Sequence, residues 1–222
     1  MNKQAVTVWT IAVVVLTLIV VGLIALVTAS NNQSATGVLS LPVQAGEWTT
    51  GGANASSTIS LVEYSDFQCP ACAFYAPWVK QLLSDIPELV LTYRYFPLTQ
   101  IHQNADLSAQ AVEAAGRQGR FWEMNEAVFA HQQDWAESSQ AEPLFMEYAQ
   151  GLGIDPVKFK QNLDSQSVKD KISQDLKSGL DSGVTGTPSF YLDGKFINNP
   201  KTYDDFVGII KDALAASAPA RS

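Results

Sequence analysis

Cysteine and histidine are scarce in this sequence. The chain of 222 residues contains two cysteines, Cys69 and Cys72, and two histidines, His102 and His131. A structural zinc site needs four ligands, which are usually cysteine or histidine side chains. Because the histidines are far apart in the sequence and there is no second cysteine pair, we predict no metal site. We expect no organic cofactor either.

Basic side chains are also few. Lysine and arginine number 14 against 22 aspartates and glutamates, which gives a formal net charge of -8. Proteins that bind nucleic acids depend on clustered lysine and arginine side chains, and the sequence has no basic patch. We therefore expect no nucleic-acid partner.

Charged side chains are absent from residues 6–28. This run approaches the roughly 20 apolar residues that cross a bilayer as a helix, and it exceeds the core of an ordinary signal peptide. Lys3 precedes the run and the next basic residue is Lys80, so the positive-inside bias keeps the N-terminus in the cytoplasm. We predict a single-pass membrane anchor over residues 1–29, with the remainder extracytoplasmic, on the periplasmic or cell-wall side.

A cleaved signal peptide is the main alternative to this anchor. Ala29 is a small residue at a plausible cleavage position before Ser30. A buried core helix fits less well, because the run is apolar on all faces and is followed by a polar stretch. An anchor on a lipid-modified cysteine is excluded, since the chain has no cysteine besides Cys69 and Cys72.

Residues 30–57 are rich in serine, threonine, asparagine, glycine and alanine. This composition cannot bury enough apolar area to become ordered, so we predict a flexible linker. The alternative is that its few apolar residues dock locally or form a short leading strand; these are Val38, Leu39, Leu41 and Trp48. The catalytic domain is predicted over residues 58–217, and residues 218–222 are a tail.

The order of predicted elements after residue 58 indicates an α/β fold. A β-α-β unit comes first, because Pro70 suits the first turn of a helix that follows a short strand. A helical insertion over about residues 104–183 separates this unit from a hairpin and a last helix. The predicted strands cover residues 59–64, 89–96, 189–192 and 195–197, and the first and last helices cover residues 70–86 and 202–216.

The two cysteines form a Cys-x-x-Cys motif, Cys69 to Cys72, where the first strand meets the first helix. A helix N-terminus favours a thiolate, which is the form of cysteine that attacks a disulfide. Cys72 lies one helical turn further on and can close an internal disulfide. We therefore predict a redox-active disulfide with Cys69 as the nucleophile and Cys72 as the resolving thiol; the alternatives are a zinc half-site or two inert buried thiols.

Two further residues are candidates for the site. Glu63 lies in a strand of otherwise apolar residues, where a buried carboxyl with a raised pKa can exchange protons with Cys72. A position on the solvent face is the alternative for Glu63. Pro188 precedes the third strand, where proline removes a backbone donor and needs a reason. The peptide bond between Thr187 and Pro188 is a candidate cis bond.

The motif Val62-Glu63-Tyr64-Ser65-Asp66-Phe67-Gln68-Cys69-Pro70-Ala71-Cys72, with Gly186-Thr187-Pro188 downstream, resembles the DsbA-like branch of the thioredoxin superfamily. Tyr95-Phe96-Pro97-Leu98, His102 and the run from Phe121 to Glu126 resemble that branch as well. The resemblance implies a thioredoxin fold with a helical insertion and a cis Thr187-Pro188 bond packed against the cysteine pair. It also implies that Thr187 offers backbone hydrogen bonds to a substrate peptide and that Glu63 is the family's buried acidic residue.

One residue departs from the pattern of this branch, because Ala71 stands where strongly oxidising members commonly have a histidine. Its side chain cannot donate a hydrogen bond to a thiolate, so the Cys69 pKa is expected to be less depressed. His102 is left out of the catalytic set, because a lone histidine is more often structural. The recurring aromatic residues of the insertion are interpreted as core packing; they are Phe121, Trp122, Phe129 and Trp135.

These observations lead to one functional prediction. We expect a protein thiol-disulfide oxidoreductase that exchanges disulfides with exported proteins, and we predict that it acts as a dithiol oxidase. A membrane redox partner must reset the cysteine pair; a quinone reductase or a reductant carrier would serve. The alternatives are a membrane-tethered reductase or isomerase, or a peptide-binding holdase without turnover.

Overall fold

A computed structural model describes residues 37–52 and 58–217 of the chain. The predicted anchor over residues 1–29 and the predicted tail over residues 218–222 lie outside the described residues. Within residues 37–52 and 58–217, no helix is both long and apolar enough to cross a membrane.

The described elements follow the predicted order of a β-α-β unit, a helical insertion, a hairpin and a last helix. In chain order they are β1 (Trp48–Gly51), β2 (Ile59–Ser65), α1 (Pro70–Asp85), β3 (Leu89–Tyr95), α2 (Ala105–Gly116), α3 (Phe121–Ala130), α4 (Gln132–Trp135), α5 (Ala141–Gly151), α6 (Pro156–Leu163), α7 (Gln166–Asp181), β4 (Ser189–Leu192), β5 (Lys195–Ile197) and α8 (Tyr203–Ser217).

The strands form one mixed sheet in the order β1-β3-β2-β4-β5. Strands β2 and β3 are parallel, as the α1 crossover between them requires. The other neighbouring pairs are antiparallel. Because β2 lies at the centre of the sheet, the loop after its last residue opens at an edge that β3 and the start of β4 share.

Helices of the insertion, α2 to α7, bury a core of their own against β3 and the cysteine loop. The aromatic residues of this region behave as the sequence predicts. Phe121 and Trp135 are buried, and Trp122 and Phe129 are partly buried against the same core. The insertion therefore forms a second packed layer that supports one side of the site.

The predicted flexible linker over residues 30–57 is wrong for residues 37–52, and the alternative of a leading strand is correct for Trp48. Strand β1 pairs with β3 at one edge of the sheet, and Val38 forms a bridge with Lys195 of β5 at the other edge. Trp48 stacks on Phe121 with 4.5 Å between the ring centroids. Backbone pairing at the sheet edges orders this segment despite its polar composition, so the domain begins before residue 58.

Arg94 fixes the same leading segment from inside the domain. Its guanidinium, on β3, is fully buried and donates two hydrogen bonds to the Glu47 carboxylate, at 2.9 and 3.0 Å. Further bonds reach the backbone carbonyls of Leu41 and Pro42 and the hydroxyl of Tyr64. Since a buried charge is costly without partners, this network makes residues 41–47 part of the folded domain.

Candidate active site

The cysteine motif lies where β2 passes into α1. Cys69 is the N-cap residue of α1, and Pro70 occupies the first turn, where a missing N–H costs nothing. The backbone N–H of Cys69 donates to the carbonyl of Asp66 at 3.1 Å, which closes a tight turn between strand and helix. The predicted placement of Cys69 at a helix N-terminus is therefore correct.

The two thiols differ in their access to solvent. Cys69 is 8% exposed and Cys72 is fully buried, and both are free thiols. The Cys69 Sγ lies 3.4 Å from the carbonyl oxygen of Thr187, to which the protonated thiol donates a hydrogen bond. The backbone N–H of Asp66 donates to the Cys72 Sγ at 3.5 Å. Of the two cysteines, Cys69 thus retains some exposure to solvent and Cys72 retains none.

The surroundings of the two thiols give them different pKa values. A hydrogen bond from the Cys72 thiol is the main reason that the pKa of Cys69 is lowered to about 5, and the backbone N–H groups of Cys72 and Ala71 add to it while burial opposes it. Burial raises the pKa of Cys72 well above its ordinary value. Cys69 is therefore the thiolate at neutral pH, although Ala71 provides no side-chain donor.

Glu63 faces inward in the middle of β2, with Tyr93 of β3 and Phe190 of β4 as its neighbours in the sheet. It is 3% exposed, so the alternative of a solvent-facing carboxylate is wrong. Burial raises the pKa of Glu63 to about 7. The charge of this carboxylate also contributes to the high pKa of Cys72. A group that titrates near neutral pH thus lies within electrostatic reach of the buried thiol.

The raised pKa of Glu63 predicts how stability depends on pH. The folded protein keeps this proton up to about pH 7, whereas the unfolded chain releases it above pH 4.5, so folding weakens between these values. Glu63→Gln removes this pH dependence. As the pH rises from 4 to 8, we expect wild type to lose roughly 3 kcal/mol of its free energy of unfolding relative to the variant. Urea unfolding of both proteins measures this loss; an equal pH dependence would contradict the burial of Glu63.

The loop before β4 completes the site opposite the cysteines. The peptide bond between Thr187 and Pro188 is cis, which agrees with the expectation drawn from the resemblance. The side-chain amide of Asn199 donates to the Pro188 carbonyl at 2.9 Å. This loop presents the Thr187 carbonyl to Cys69, so Cys69, Thr187 and Pro188 are brought together as predicted.

Sequence reasoning missed the polar residues that support the cysteine loop from the insertion. The side chain of Gln132, in α4, donates to the carbonyls of Phe67 and Cys69 at 2.7 and 3.0 Å. The Gln68 amide oxygen accepts from the backbone N–H of Asn104 at 2.6 Å. Gln68 is adjacent to the motif and was the available signal, whereas nothing in the sequence connects Gln132 with Cys69.

Histidine and carboxylate side chains do not gather into a metal site in this domain. Within residues 37–52 and 58–217, no group of three or more histidine, cysteine, aspartate or glutamate side chains is arranged to hold a metal ion. The Asp66 carboxylate, next to the cysteine loop, is instead bound to hydrogen-bond donors such as the backbone N–H of Gln68.

The family model described as thioredoxin matches residues 44–212 of this chain. The chain belongs to the thioredoxin family. The match begins ahead of β1 and continues into α8, so it covers the cysteine loop, the insertion and the loop of Pro188.

Solved structures with the same fold include BdbD from Bacillus subtilis in its oxidised form, with a TM-score of 0.69, 23% identity, and coverage of 81% of this chain and 98% of that one. The α-DsbA1 protein of Wolbachia pipientis gives a TM-score of 0.66 at 21% identity, with coverage of 80% of this chain and 95% of the other. Family and fold confirm the predicted membership of the thioredoxin superfamily and the α/β fold with a helical insertion.

Curated relatives are longer proteins. The Na(+)/H(+) antiporter NhaA 3 of Salinispora tropica is 33% identical over 159 residues, which are 72% of this chain and 24% of the antiporter. NhaA 1 of Salinispora arenicola is 36% identical over 137 residues, which are 62% of this chain and 20% of that protein. The chain thus spans about a quarter or less of the curated relatives it matches.

Proposed function

We propose that Cys69 and Cys72 form the redox-active pair of an extracytoplasmic dithiol oxidase that acts on exported proteins. The observation that carries the proposal is the pairing of one accessible, acidic thiol with one buried thiol of high pKa. A stabilised Cys69 thiolate favours the reduced form of the pair, so the disulfide form is a good oxidant. In this proposal the stabilised Cys69 thiolate compensates for Ala71, which stands where strongly oxidising members commonly have a histidine.

The proposed reaction begins with the pair as a disulfide. A client thiolate attacks the Cys69 sulfur, the bond between Cys69 and Cys72 breaks, and Cys72 leaves as a thiolate that takes up a proton. A second client thiolate then attacks the client sulfur of the mixed disulfide, which forms the client disulfide and releases the Cys69 thiolate. Two electrons pass from the client to the cysteine pair, and a redox partner must remove them.

Glu63 serves in this reaction as the acid-base group for Cys72. Its pKa of about 7 lets it give up or accept a proton at neutral pH, and its charge acts directly on the pKa of Cys72. We propose that Glu63 protonates the leaving Cys72 thiolate. The same carboxyl accepts the proton back when a redox partner restores the disulfide.

The loop of Thr187 and Pro188 is the proposed substrate-binding edge. The Thr187 carbonyl already lies 3.4 Å from the Cys69 sulfur, so a peptide extended along this loop passes next to the reacting atom. Backbone hydrogen bonds between such a peptide and Thr187 would add a strand to the edge of the site. Binding through the backbone suits a catalyst that accepts many client sequences.

We further propose that residues 1–29 anchor the enzyme in the membrane with its domain outside the cytoplasm. The anchor would place the domain near exported clients and near a membrane redox partner. The apolar run over residues 6–28 supports this arrangement. The mass of the mature protein separates the anchor from a cleaved signal peptide.

A peptide-binding holdase is the second candidate function, favoured by the partial exposure of Thr187 beside Pro188. Replacing both cysteines with serine distinguishes the two functions, because a holdase protects its clients without thiols. Sodium-proton antiport is not proposed, because the matched segment is only a quarter of the antiporter named above.

A further inference from the structure

Asp66 joins the cysteine loop to the turn that follows β3. Its carboxylate is fully buried, and one oxygen, Oδ2, accepts from the backbone N–H of Leu98 at 2.9 Å and contacts His102 Nδ1 at 2.7 Å. The other oxygen accepts from the backbone N–H of Gln68 at 2.8 Å. One carboxylate therefore binds both ends of the turn at residues 98–102 and the loop that carries Cys69.

The main chain of Asp66 contacts both cysteines. Its N–H donates to the Cys72 sulfur, and its carbonyl accepts from the N–H of Cys69. A movement of Asp66 would therefore change its hydrogen bonds to both cysteines. The turn that its carboxylate holds is closed on itself, because the Leu98 carbonyl accepts from the N–H groups of Ile101 and His102, each at 3.0 Å.

This turn forms one wall of a groove beside the proposed peptide edge. The groove has a volume of about 620 Å³, and its opposite wall comes from the end of α7 and from Val184 and Thr185. Thr185 is two residues before Thr187, so the chain runs directly from this wall into the loop that faces Cys69. Ile101, at the tip of the turn, is 73% exposed. Asp181, the charged side chain in the lining, is paired with Lys177 at 2.6 Å, and most of the other lining residues are apolar, so the groove suits an apolar client side chain.

We propose that Asp66 and His102 form a positioning pair, which holds this wall against the cysteine loop so that an apolar client side chain can bind next to the exchanged sulfur. The inference rests on the proposed function, because it assigns the groove to the client polypeptide. His102 is a suitable third partner for the buried carboxylate, since its side chain is 15% exposed and its contact is short. His102 acts through Asp66 and does not itself react.

The test uses the full chain and a fluorescent peptide that carries a leucine next to a serine. The serine replaces the reactive cysteine of a client. His102→Leu removes the Nδ1 contact, and we expect the peptide Kd to rise about tenfold, in line with the loss of a charge-assisted hydrogen bond. His102→Asn keeps a donor at that position and should restore the Kd to within about twofold. For a cysteine-containing peptide, KM should follow the Kd while kcat changes far less.

The other histidine supplies a matched control. His131 also contacts an aspartate through Nδ1, Asp134 at 3.0 Å, but on the exposed surface of the insertion. His131→Leu should leave the peptide Kd unchanged. An unchanged Kd in His102→Leu, failure of His102→Asn to restore binding, or a fall in kcat at constant KM would overturn the inference.

The outcomes also separate this inference from the proposed function. A wild-type protein that binds the serine peptide but does not exchange with glutathione would contradict the oxidoreductase proposal and leave the positioning pair standing. A protein that exchanges with glutathione but does not bind the peptide would contradict the groove assignment alone.

Discussion

Replacing Cys69 and Cys72 with serine is expected to slow disulfide formation in a reduced client by roughly three orders of magnitude, to the uncatalysed rate. Serine keeps the size of each side chain but cannot form the thiolate that carries the reaction. Oxidative refolding of a client with several cysteines, followed by the return of its activity, measures the rate. The Kd of the serine peptide should be unchanged in the double variant.

The single variants locate the reacting sulfur. Cys72→Ser keeps the accessible thiol and should accumulate a mixed disulfide with the client, which mass spectrometry detects on Cys69. Cys69→Ser leaves a buried thiol of high pKa and should accumulate none. If the double variant protects clients as well as wild type does, the enzymatic proposal fails and the holdase function replaces it.

Glu47→Gln is expected to lower the free energy of unfolding by about 3 to 5 kcal/mol, because it leaves the Arg94 charge buried without its partner. The side chains of Arg94 and Glu47 are 1% and 9% exposed. Urea unfolding measures the loss. Lys80 and Glu126 form an exposed ion pair, so Glu126→Gln is the matched control and should cost about 1 kcal/mol or less.

Equal effects of Glu47→Gln and Glu126→Gln would contradict the inclusion of residues 41–47 in the folded domain. The comparison bears on function as well, because Arg94 also binds the hydroxyl of Tyr64, near the end of the strand that leads to the cysteines. We expect Glu47→Gln to destabilise that strand more than it changes the reactivity of Cys69.

Local sequence signals predicted the strand, the cysteine pair and the helix of the site, because each of these depends on neighbouring residues. Pro70 and the β-forming residues before it are sufficient for that prediction. The strand pattern alone left the orientation of Glu63 open, since β2 is buried on both faces and lacks the alternation that reveals a side. The structure was needed to show that its carboxyl is buried.

Contacts between distant residues account for the rest of what the sequence did not reveal. Glu47 and Arg94 are 47 positions apart, and Asp66 and His102 are 36 positions apart. Neither pair has a spacing that indicates contact. The acidity of Cys69 has a related origin, because its donors are the Cys72 thiol and backbone N–H groups, which the side chain of Ala71 does not reveal.

The equilibrium reduction potential of the Cys69-Cys72 pair, titrated with glutathione, tests the central claim most directly. An acidic Cys69 thiolate stabilises the reduced pair, so we expect a value close to the DsbA reference of about -120 mV. A value close to the thioredoxin reference of about -270 mV would contradict the oxidative direction and would make the protein a disulfide reductase.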